Sequence, residues 1–160
     1  MNKCTALAIR LREVYIDGKW IANTNYKEQL DGIGWPLVNE NISGLNSIAL
    51  LTFHINYYLE GLLKVLNGGN LEISDKYSFD MPQINNEEEW LEMKSQFLTN
   101  ASEFCNKIEQ LDDVILDCDF TDKKYGSYLR NIEAVIEHSY YHLGQIVLIK
   151  KLINFKSVNP

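Results

Sequence analysis

The sequence is poor in the residues that brace or punctuate a chain. It has three prolines and three cysteines in 160 residues. Three is an odd number, and Cys4, Cys105 and Cys118 show no Cys-x-x-Cys spacing, so a disulfide framework is excluded and reduced thiols are expected. No stretch approaches the roughly 18 apolar residues of a membrane span. The opening Met1-Asn2-Lys3-Cys4 is followed by Arg10 and Arg12 rather than by the apolar run of a signal peptide. Positive charge is short as well: a net charge of −7 leaves no basic stripe to neutralise phosphates, which argues against nucleic acid or membrane as a partner. Lys150, Lys151 and Lys156 cluster only where a helix ends, and there cations suit the dipole. No phosphate-binding glycine motif, internal repeat or low-complexity tract occurs. A single cytoplasmic domain over residues 1–160 is the expectation.

What the chain does have is helical periodicity. Leu7, Leu11, Val14 and Tyr15 fall on one face of a helix over about 2–15, which Asp17-Gly18 ends. A connection of about 28 residues follows, over 18–45, broken by Gly32, Gly34, Pro36 and Gly44 and holding at most a short helical turn at 25–30. The second helix is predicted to start with Asn46 as N-cap, to bury Ile48, Leu51, Ile55, Leu59 and Leu62, and to stop at Asn67-Gly68-Gly69. The third starts near Asn86, with Glu87, Glu88 and Glu89 in its first turn and a capping-box spacing from Asn86 to Glu89. Residues 112–124 read as an acidic loop, with a short extended piece at Val114-Ile115-Leu116 and Phe120. The last helix, over about 127–153, is apolar around more than half its circumference, as a central helix should be. Four long helices without a convincing strand predict an all-α, four-helix bundle, and the long first connection predicts a crossover topology.

The chemistry concentrates in the three histidines. His138 and His142 are four residues apart, so both rings lie on one helix face within reach of one ion. At 100° per residue, His142 falls about 40° from His138 and the core direction lies about 90° from it. His54 on the second helix has a similar offset from its own core face. Two neighbouring helices would then aim all three imidazoles at one point. Three neutral imidazoles suit zinc, nickel, copper or ferrous iron, and three ligands with an open position is the catalytic zinc pattern. Asn131, Gln145, Tyr58 and Glu137 are the candidates to orient a ligand or a water, Glu137 also as a fourth ligand. Gly61, two turns beyond His54, opens a pocket or permits a close helix approach. Ser139, Tyr140 and Tyr141 between the paired histidines include no Glu, so the His-Glu-x-x-His protease mechanism is excluded.

Asn46-Ser47-Ile48 ahead of His54, together with His138-Ser-Tyr-Tyr-His142-Leu-Gly144-Gln145-Ile146, resembles the DinB superfamily of metal-binding helical bundles. The second string looks like that family's His-x-x-x-His-x-Gly-Gln-Ile signature, and the resemblance extends over almost the whole chain. It implies a bundle of unusual crossover connectivity, zinc or nickel on His54, His138 and His142, and a homodimer. It also implies a small-molecule substrate. Similar proteins include S-transferases that use a low-molecular-weight thiol such as bacillithiol, thiol-dependent isomerases and members without known activity. Three functions remain in view: a metal enzyme that activates a thiol or a water, a non-catalytic metal-binding or stress-associated module, and a helical dimer with vacant histidines.

Overall fold

Each long helix begins where a short polar side chain can take an orphan backbone N–H. Asn2 Oδ1 accepts from Thr5 N at 2.7 Å and opens α1, Lys3–Tyr15. Asn25 does the same for the short α2, Tyr26–Leu30. Ser47, rather than Asn46, caps α3, Ile48–Leu66, its Oγ accepting from Leu50 N at 3.1 Å. The two positions are adjacent polar residues, and only the extended backbone of Ser47 puts its oxygen over the first turn. Asn86 caps α4, Glu87–Gln110, and Glu89 turns back to accept from Asn85 N and from the Asn86 amide. Ser127 Oγ accepts from Arg130 N at the start of α5, Tyr128–Val158.

These elements come from a computed structural model, which describes residues 1–158; the last two residues of the expected domain lie outside it. The described chain is all-helical, with five α-helices and no strand. The extended piece expected at 114–116 is instead part of a 3-10 turn, Asp113–Asp117, opened by Asp112 accepting from Val114 N. Three apolar residues in a row suit either conformation; the Asp112 cap decides it, and Leu116 is the one that is buried. Asp113 is put to use across the molecule, its carboxylate accepting from the free N–H groups of Lys3 and Cys4 at 2.8 Å each. The last helix runs on to Val158, because nothing between Ile153 and that residue breaks it.

α1 and α3 each pack on both α4 and α5. The interior between them is filled by Leu11, Ile55, Leu59, Trp90, Phe104 and Ile146, all nearly or fully buried. The long 16–47 connection is pinned at several points rather than draped. Trp90 Nε1 donates to Ile33 O, Glu87 accepts from Trp35 N, and Lys150 Nζ donates to the Gln29 and Asp31 carbonyls that end α2. Tyr26 from α2 reaches the core, stacks among Tyr15 and Phe97 and donates its hydroxyl to Ser139 O.

Candidate metal centre

Two helices deliver the histidines, His54 from the middle of α3, and His138 and His142 from successive turns of α5. Their Nε2 atoms converge: His54 to His138 is 3.2 Å and His142 to His138 is 2.9 Å. One ligand atom from each lies within 4.8 Å of the others. An ion held at the usual 2.0–2.1 Å by two imidazoles at angles of 90–109° separates their nitrogens by about 2.9–3.4 Å. Both spacings to His138 fall in that interval, and the three residues could hold a metal.

The outer nitrogens explain why the inner ones are available. His54 Nδ1 lies 3.1 Å from Ser78 O, and His142 Nδ1 lies 2.7 Å from Gln145 Oε1. Both oxygens only accept, so each Nδ1 carries the hydrogen and each neutral ring leaves Nε2 bare. Two lone pairs then point at His138 Nε2, which has at most one hydrogen to give. Protein groups alone leave at least one of these acceptors unmatched; a cation between them matches all three.

The surroundings keep the rings neutral. His54 and His142 are buried, and burial lowers the pKa of both. For His138 burial is again the main cause, joined by the neighbouring His142 and His54, and its pKa is pushed down to about 4. Phe79 stacks flat on His54 at 4.0 Å, while Tyr58 meets the rings of His54 and His138 at near right angles.

Of the supporting residues expected from the helical angles, Gln145 is in place. Tyr58 is beside the rings, but its hydroxyl donates to Asp75 Oδ1 at 2.9 Å. Asn131 spends its amide hydrogens on the carbonyls of Tyr125 and Ser127. Glu137 is exposed and paired with Arg130, away from the cluster, so it does not close the site. Helical angles placed it correctly on α5, but its side chain turns along the outer surface. Asp75, Ser78 and Phe79 join the site without a signal in the sequence. They lie in the connection between α3 and α4, where no periodicity marks them, and Ser74-Asp75-Lys76 reads like any polar turn.

A cavity of about 570 Å³ opens beside His138. Ile55, Leu59, Leu62 and Val135 line its helical wall, and Leu71 and Ile73 close it from the connection. Gly61 makes that closure feasible: a Cβ there would stand 2.3 Å from Ile73 Cγ2. The close approach is therefore made by the connection, not by another helix. No protein-family model, curated protein or solved structure matches the chain. Among the described residues no helix is long and apolar enough to cross a membrane.

Proposed function

We propose that this chain is a DinB-like, divalent-metal-dependent enzyme that transfers a low-molecular-weight thiol to a small electrophile, with zinc or nickel on His54, His138 and His142. The observation that carries the reading is the convergence of three Nε2 atoms, two of them stripped of hydrogen by Ser78 O and Gln145 Oε1. The packing order supports a four-helix bundle of crossover type. α1 and α3 both pack on α4 and α5, so these two successive long helices stand across the core from one another and their connection crosses the bundle. The three unpaired cysteines accord with a reducing cytoplasm.

A divalent ion held by His54, His138 and His142 would supply Lewis acidity and lower the pKa of a bound thiol or water. The chain's own residues do the rest. The cavity admits a small molecule up to His138, Phe79 and Tyr58 shield the histidines, and the Asp75 carboxylate stands in the same cavity to accept a proton. That carboxylate also favours a second reading, hydrolysis by an activated water. A structural strut would need a fourth protein ligand, and among the described residues no further Cys, Asp, Glu or His joins the group. Tyr141 and Leu148, exposed seven residues apart on α5, offer an apolar face for a homodimer.

The test is to purify untagged protein without chelator and quantify bound metal, then to repeat with His142→Ala. About one ion per chain in the wild type and loss in the variant are expected. A wild type that takes up neither zinc nor nickel refutes the reading. A screen of electrophiles against several small thiols then separates transfer from hydrolysis.

A further inference from the structure

The walls of the cavity beside His138 are unusual in what they offer a ligand. Polar hydrogens in the wall are mostly committed to the protein. Tyr58 donates to Asp75, and Tyr15 bonds to Ser139, whose own hydroxyl donates to Val135 O. The Asn131 amide donates to two carbonyls. Among the described residues no lysine or arginine lines the space, and Asp75 is the one carboxylate that does. The nearby cations are engaged by the protein: Lys76 lies over the Tyr77 ring, Lys124 lies over the ring of cavity-lining Tyr125 beside Asp122, and Arg130 pairs with Glu137. What remains for a ligand is apolar surface, the aromatic rings of Tyr58 and Phe120, and the negative charge of Asp75.

From this charge pattern we propose that the cavity binds a small molecule with an apolar or aromatic body and a protonated amine, the amine paired with Asp75 and the far end directed at the histidine cluster. The proposal rests on the reading above for what happens at the histidines, but the binding preference belongs to the cavity alone. About 570 Å³ lies within the range of small-ligand sites, roughly 300–1,000 Å³. Aromatic faces attract a cation electrostatically, and the exposed Asp75 carboxylate adds a modest attraction of its own. In the metal-free cavity an anionic body meets Asp75, and no lysine or arginine among the lining residues offsets it. The cavity wall itself thereby favours an amine-bearing thiol or electrophile over an anionic one.

The probes are 4-phenylbutylamine, 4-phenylbutanol and 4-phenylbutyrate, matched in shape and differing in charge. Affinities are measured by calorimetry on chelator-treated wild type, on Asp75→Asn and on His142→Ala. Attraction of the amine and repulsion of the carboxylate by a partly exposed charge each amount to a few-fold, so the amine should bind about tenfold more tightly than the carboxylate. In Asp75→Asn the amine and the carboxylate should approach the alcohol, whose own affinity is unchanged. The preference should survive in His142→Ala. A carboxylate that binds the chelated wild type as well as the amine, or an amine preference that persists in Asp75→Asn, overturns the proposal. Failure of the metal assay with the amine preference intact would instead discard the metal reading and leave this one standing.

Discussion

Two polar clusters flank α3, and they are built on opposite principles. Toward α4, Gln96 donates to Asn100, Asn100 donates to Asn56 and Glu60, and Asn56 donates to Glu60. Every donor meets an acceptor and the chain of bonds ends on a carboxylate. Toward α5, His54, His138 and His142 turn three ring nitrogens inward with at most one hydrogen among them. The first cluster is complete and holds two helices together. The second has more acceptors than hydrogens, a surplus that a cation could match. Burial of polar groups is therefore not the sign of a site; a surplus of acceptors facing one another is.

The sharpest break between the two clusters is ligand removal. His54→Ala or His142→Ala should lower metal affinity by more than about 100-fold, beyond the 10–100-fold usual for a supporting residue, as read by metal quantification after dialysis. Gln145→Leu should fall within that supporting range, because it frees the His142 ring and its tautomer without removing a ligand. Asn100→Leu should do the reverse. It should cost about 2 kcal/mol in denaturant unfolding by leaving the Asn56 and Gln96 groups unmatched, while metal content stays at the wild-type level. If Asn100→Leu removed metal as fully as His142→Ala, the two clusters would be one unit and the distinction would fail.

Acid gives a gentler probe. In metal-free protein the folded pKa of each histidine lies below its usual 6.5, that of His138 at about 4, chiefly through burial. A lowered folded value means that the unfolded chain takes protons first. Stability is then unaffected above about pH 6.5 and declines as pH falls toward 4. Calorimetric Tm measured between pH 7.5 and 4.5 should fall over that window, and less steeply in His138→Phe. A Tm that rose on acidification would contradict the burial of these rings. The smallest effect expected is Gly61→Ala, which should cost about 1 kcal/mol or somewhat more as Ile73 is displaced from α3.

Much of this was legible in the sequence for a physical reason. A helix places residues by a fixed rotation, so His138 with His142, the apolar faces and Gln145 beside His142 all follow from spacing. Caps were legible to within one residue, as Asn46 and Ser47 show, since both side chains are able to cap and only the backbone torsions choose. Connections have no such rule. The apolar run in the 3-10 turn at Asp113–Asp117 suits an extended piece as well, and Asp75, Ser78 and Phe79 carry no periodic signal. Glu137 failed for another reason: spacing fixes where a side chain starts, not which partner it turns to.

Sequence alone determined the helices, the shortage of disulfides and basic surface, and the pairing of His138 with His142, because each depends on residues close together in the chain. Tertiary structure decided the rest. It brought His54 within 3.2 Å of His138, set Ser78 O on the outer nitrogen of His54, and placed Asp75 across a cavity from α5. Those choices couple residues as many as 84 positions apart, and no local preference carries that information. It comes from the way apolar faces on α3, α4 and α5 pack together, which fixes where every side chain between them points.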